Sequence, residues 1–271
     1  MTETSYEEVP FRVAEIEHRY GPNVHLLRDP YLLTLLSELC APETVQPNIN
    51  HLIRELYTLL VAQVVAAEFP RRRVERSTRM IGSTPRGVYV GQVVEPRTRA
   101  VVVDVARAGM VPALVVYDVL NHVLDPRGVR QDHVVMSRTT DASGAVTGVS
   151  MSASKVAGDA GGAILLVPDP MGATGSSMSA TVDLYKQEGM QRPTKILLMN
   201  LIVTPQYLRK VRDRHPNASV YAVRLDRGLS SEEVLRTVPG ERWDEENGLD
   251  DRHYIVPGGG GFGELINNAY V

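Results

Sequence analysis

The chain has 271 residues, of which 43% are apolar and 23% charged, with a formal net charge of −3. That balance suits a globular protein with a sizeable core, in one large domain or two small ones, and gives no support to a nucleic-acid surface or a strongly basic membrane patch. No uninterrupted apolar stretch approaches the roughly 18–20 residues that span a bilayer. The acidic N-terminus lacks the layout of a secretory leader, and Cys40 stands alone with no partner for an internal disulfide, which fits a cytoplasmic setting.

Residues 1–24 are polar and are expected to be a poorly ordered tail. Asp29-Pro30 then opens a helix over 31–40, with Asp29 as cap, Pro30 at the first helical position, and Cys40 as a packing residue at its end. Pro47 opens a second helix with apolar residues at 49, 52, 53, 56, 59, 60 and 64, a stripe suited to the core or to a neighbouring subunit. Arg71, Arg72, Arg73, Arg76 and Arg79 follow, either gripping an anion or forming a solvated face beside an acidic neighbour. Residues 84–94 alternate around Gly87 and Gly91 as a hairpin does.

From residue 100 strands and helices alternate. Strands are expected near 100–105, 133–137, 163–167, 195–203 and 219–225, and helices near 110–124, 176–188 and 205–214, with Gly189 placed as a C-terminal cap. This is the pattern of a parallel α/β sheet, which binds ligands at the carboxyl ends of its strands; Asp104, Arg107, Asp169 and Asp226 fall at or just past those ends. Ser230–Leu235 has the character of a helix-capping box inside a polar stretch, 230–252, that holds the only tryptophan, Trp243.

Residues 164–178 carry the most chemistry. An apolar run, Ile164–Val167, ends in Asp169 and passes into the small-residue loop Ala173-Thr174-Gly175-Ser176-Ser177. Loops of this kind bring main-chain N–H groups close to a phosphate, and the following helix adds the positive end of its dipole. The run Asp-Pro-Met-Gly-Ala-Thr-Gly-Ser-Ser resembles the signature of uracil phosphoribosyltransferases, a branch of the type I phosphoribosyltransferases. Three further blocks resemble that family in order: Thr84-Pro85-Arg86-Gly87 as the hairpin arm, Ala106-Arg107-Ala108-Gly109 after an apolar strand, and Tyr254-Ile255-Val256-Pro257-Gly258 as the C-terminal hood.

The resemblance implies a single phosphoribosyltransferase domain over 25–271: a parallel sheet flanked by helices, with an arm at 84–94, an insertion at 230–252 and a hood at 253–271. It implies that uracil and phosphoribosyl pyrophosphate give uridine monophosphate and pyrophosphate. The implied catalytic residues are Asp169, beside the ribose, and Arg107, on the diphosphate, where a planar guanidinium matches phosphate oxygens. The implied phosphate site is Asp169, Met171, Ala173, Thr174, Gly175, Ser176, Ser177 and Arg107, and the implied base site is Tyr254, Ile255, Gly260 and Phe262. Mg²⁺ is expected as cofactor, held mainly by substrate and water with no protein cage. The resemblance further implies a homodimer or larger homo-oligomer that binds neither nucleic acid nor membrane.

A single acid at Asp169, preceded by Pro168, points to the uracil branch. The hood departs from the family, which continues Gly-Asp-x-Gly-Asp where this chain has Gly260-Gly261-Phe262-Gly263-Glu264. Four consecutive glycines also make a loosely held hood the expectation. Two alternatives therefore stay open: transfer to another heterocyclic base, or a catalytically weak nucleotide-binding regulatory homologue.

Overall fold

The computed structural model describes residues 5–140, 146–188 and 190–270, with backbone alone for 137–140 and 146–149; the cap expected at Gly189 lies outside the described residues. A short strand, β1 (Val24–Leu26), precedes α1 (Pro30–Leu39), whose first amides at Tyr31 and Leu32 donate to Asp29 as the capping pattern requires. α2 (Asn48–Glu68) buries Ile49, Leu52, Ile53, Leu56, Tyr57, Leu60, Val61, Val64 and Val65. Its apolar stripe is thus consumed by the chain's own core, which removes it as a subunit surface. Cys40 Sγ packs near Gly259, and burial pushes its thiol up, as suits a packing residue.

The arm is longer than expected. β2 (Arg71–Ser77) pairs antiparallel with β3 (Val88–Val94), so the arginine-rich run forms one whole strand of the hairpin. Arg72 and Arg73 lie 4.0 and 3.4 Å from Glu95 and Glu7, so part of the cluster is a solvated face beside acids.

The remaining elements are β4 (Arg99–Ala106), α3 (Met110–Val123), β5 (Val129–Thr140), β6 (Val146–Lys155), β7 (Ala163–Pro168), β8 (Met171–Gly172), α4 (Ser176–Leu184), β9 (Lys195–Val203), α5 (Pro205–Arg214), β10 (Ala218–Leu225), α6 (Glu232–Leu235) and α7 (Phe262–Leu265). The main sheet runs β1-β10-β9-β7-β4-β5-β6, with β8 beside β9. Every pairing in it is parallel except β5 with β6, a long antiparallel edge that the sequence pattern did not reveal. Along β4, Val101, Val103 and Val105 enter the core under α4 and α5, while Ala100 and Val102 enter the core under α1 to α3. Period-two alternation between two buried faces is why these strands are apolar throughout. Among the described residues no helix is long and apolar enough to cross a membrane.

Part of the tail expected to be poorly ordered is docked. Ile16 N–H donates to Leu26 C=O at 3.0 Å, Arg19 N–H donates to Pro239 C=O at 2.7 Å, and Tyr20 is 2% exposed. Arg19 and Tyr20 dock on the stretch 230–252. Tyr20 O–H donates to buried Glu246, and Trp243 meets the Tyr20 ring edge-on at 4.7 Å. The excursion closes on itself at Leu229 N–H to Asn247 C=O, 3.0 Å. Trp243 also donates to Pro205 C=O at 2.9 Å, so it packs on α5 rather than over the cavity described below.

Candidate active site

The carboxyl ends of β4, β5 and β7 open into a cavity of about 720 Å³. Arg107, Asp169, Met171, Ala173, Thr174, Gly175, Ser176, Ser177, Tyr254, Ile255, Gly260 and Phe262 all line it, although the chain separates the first from the last by more than half its length. A second cavity of about 870 Å³ lies between α5 and the stretch 243–247; of the expected site residues it holds Thr174 alone. Size therefore does not mark the site. Convergence of polar groups does.

Asp169 sits one residue beyond β7 and is pinned through its backbone. Its N–H donates to Met199 C=O at 3.0 Å, and its C=O accepts from Asn200 Nδ2 at 2.6 Å. Asn200 Oδ1 accepts in turn from Tyr207 O–H at 2.9 Å. The Asp169 carboxylate accepts from Met171 N–H at 3.0 Å. Burial raises the carboxyl to about 6; the Met171 N–H opposes that rise and the nearby Asp104 charge adds to it.

The loop after β8 turns through Gly175 into α4. Ala173 N–H is spent on Met171 C=O at 3.1 Å, so this one amide of the expected cradle is already occupied. Among the described residues the N–H groups of Thr174, Gly175 and Ser177 make no hydrogen bond to protein. They stand at a helix N-terminus, where the macrodipole favours an anion.

Arg107 follows β4 and turns toward the C-terminal segment. Its Nη1 donates to Ala269 C=O at 3.1 Å, and its Nη2 lies 3.9 Å from Glu264 Oε1. A Cβ built on Gly261 would fall 1.7 Å from Glu264 Oε2. The Glu264 carboxylate thus occupies the space that an acid at 261 would need, delivered from α7 instead of from the preceding loop.

The glycine run expected to be loosely held is anchored at its first residue, Gly258. Gly258 N–H donates to Asp226 Oδ2 at 2.7 Å, and Gly258 C=O accepts from Arg224 Nη2 at 2.8 Å. Asp226 is 2% exposed and bridged by Arg224 at 2.7 Å, so its role is to anchor the hood from beneath rather than to line the cavity. Among the described residues the main-chain groups of Ile255 and Gly260 make no hydrogen bond, which leaves donors and acceptors beside the buried ring of Phe262. Asp104, expected at a strand end, lies inside β4, 2.9 Å from His133 Nδ1, and does not line the cavity.

Sequence reasoning passed over Asn200, Tyr207 and His253, the last two of which line the cavity. A signal existed for Asn200, the sole polar residue within the apolar run of β9.

Residues 26–241 match the family model described as uracil phosphoribosyltransferase. The chain belongs to that family. Over 112 residues it is 31% identical to the uracil phosphoribosyltransferase of Acinetobacter baylyi; the match spans 41% of this chain and less than half, 42%, of that protein. In architecture it is similar to the AQ2163 protein of Aquifex aeolicus, with a TM-score of 0.67 over 92% of this chain and 99% of that one, at 17% identity. The site of this family member differs from the motif quoted above at Gly261 and Glu264.

Proposed function

We propose that this protein is a phosphoribosyltransferase acting on uracil, converting uracil and phosphoribosyl pyrophosphate to uridine monophosphate and pyrophosphate. The observation that carries this reading is the meeting of Arg107, Asp169, the free loop amides and the hood main chain around one cavity of about 720 Å³. The 5′-phosphate takes the N–H groups of Thr174, Gly175 and Ser177 at the head of α4. The diphosphate takes Arg107, exchanging a carboxylate and a carbonyl for phosphate oxygens in the same guanidinium fork.

Ionised Asp169 accepts from the ribose hydroxyls, and its charge favours the positive character that develops at the anomeric carbon. The bond from that carbon to the diphosphate oxygen breaks with its electron pair. A ring nitrogen of the base forms the new bond and releases its proton to water. Main-chain groups at Ile255 and Gly260 take the polar edge of the base against Phe262.

Mg²⁺ would be held mainly by diphosphate oxygens and water, with Asp169 and Glu264 the hard oxygen donors that line the cavity beside them. When bound it spreads the negative charge of the leaving group. A cytoplasmic homo-oligomer completes the proposal: the family resemblance implies the assembly, and the lone thiol of Cys40 fits a reducing compartment.

The test is pyrophosphate release with phosphoribosyl pyrophosphate, Mg²⁺ and a panel of pyrimidines and related heterocycles. Uracil as preferred acceptor is the expected outcome. Preference for another base, which the Gly261 and Glu264 exchange favours as the second reading, would replace the acceptor. Tight binding of phosphoribosyl pyrophosphate without transfer to any base would replace the enzyme by a binding protein.

A further inference from the structure

α5 lies directly behind the phosphate loop. A Cβ on Gly175, which has φ +78°, would stand 3.3 Å from Lys210 Cβ and 3.4 Å from Tyr207 C=O, so loop and helix are already in contact. From this position Lys210 Nζ donates to Ser176 Oγ at 2.8 Å. Thr174 Oγ1 donates to the same oxygen at 3.2 Å while accepting from Ser176 N–H at 3.4 Å. A serine hydroxyl has two acceptor lone pairs and one proton. With both lone pairs engaged, the Ser176 proton is left to point elsewhere, and Ser176 lines the cavity.

The charges of α5 separate Lys210 from its neighbours. Arg209 pairs with Asp244 at 2.5 Å, Arg214 with Asp183 at 2.5 Å, and Arg212 with Asp213 at 3.1 Å. Among the described residues Lys210 forms no ion pair; its ammonium is committed to a neutral hydroxyl of the loop. A cation held there adds to the dipole of α4 at the point where an anion would bind; the acids that share the second cavity with it, Asp213, Asp244, Glu245 and Glu246, make no ion pair with it.

We propose that Lys210 is a positioning residue for the 5′-phosphate, orienting the Ser176 hydroxyl toward the anion and placing a positive charge behind the loop. This rests on the phosphoribosyl reading above. It assigns to α5, outside the quoted motif, a share of the substrate affinity.

The experiment measures binding of ribose 5-phosphate to the full chain by calorimetry at low and high NaCl, alongside steady-state kinetics in phosphoribosyl pyrophosphate. Lys210→Met is expected to weaken ribose 5-phosphate about tenfold at low salt and to raise KM for phosphoribosyl pyrophosphate by a similar factor, with a much smaller change in kcat. Lys210→Arg should restore most of the affinity. Combined with Ser176→Ala, the Lys210→Met loss should be less than the product of the two single losses, because the lysine acts partly through that hydroxyl.

Wild-type affinity in Lys210→Met, or a loss confined to kcat, overturns the inference while leaving the functional reading intact. Failure of the wild-type chain to bind ribose 5-phosphate or phosphoribosyl pyrophosphate overturns the functional reading and the inference with it.

Discussion

Replacing Asp169 by Asn keeps the shape of the side chain and its acceptor for Met171 N–H, and removes the ionisable group. Burial holds the wild-type carboxyl at about 6, against an ordinary value of 3.8. That displacement corresponds to about 3 kcal/mol by which the folded state disfavours the carboxylate; contact with the cavity reduces it to about 1–3 kcal/mol.

The folded value lies above the unfolded one, so the folded chain keeps the proton to higher pH. The contribution of Asp169 to stability is therefore most favourable at the acid end, is lost as pH rises from 3.8 to about 6, and is constant above that. Asp169→Asn escapes this loss. Urea unfolding should find the variant more stable than wild type by about 1–3 kcal/mol at pH 8, with the gain falling to about half at pH 5.

Activity should move the other way. The wild-type kcat/KM should rise through a group titrating near 6, while the variant turns over at least a hundredfold more slowly and lacks that limb. A variant no more stable than wild type at pH 8, or a gain independent of pH, would refute the assignment of a buried, strained charge to Asp169.

Gly261→Asp should lower kcat/KM at least tenfold, because its side chain competes with the Glu264 carboxylate for one space 1.7 Å away; Gly261→Asp with Glu264→Gly should recover part of that loss in the same assay. Asp226→Ala strands the Arg224 guanidinium and frees Gly258, so denaturant unfolding should register a loss of about 2–4 kcal/mol, and KM for the base should rise more than KM for phosphoribosyl pyrophosphate.

Much of the fold was legible because its signals are local. Apolar runs at β4, β7 and β9 are long enough for one strand each, and Asp29 caps α1 by accepting from the amides of Tyr31 and Leu32, two and three residues on. The loop from Asp169 to Ser177 was legible for the same reason, since small residues at a strand–helix junction constrain the main chain whatever surrounds it. Arg71–Ser77 was not, because an exposed edge strand of a hairpin arm carries charged residues on both faces and shows no alternation. β6 was obscured likewise by small polar residues along its length.

By itself, then, the sequence determined the alternation of strand and helix and the small-residue loop that follows Asp169, because each depends on neighbours within a few positions, while of the four strand-end residues only Arg107 and Asp169 reach the cavity. Only the tertiary structure decided the partners of the long side chains. Arg107 finds Glu264 and Ala269, Lys210 finds Ser176, and Tyr20 finds Glu246 across 226 positions of the chain. A flexible side chain reaches whatever packing brings within a few ångströms, and packing is set by the whole sheet and its two cores rather than by any segment read alone.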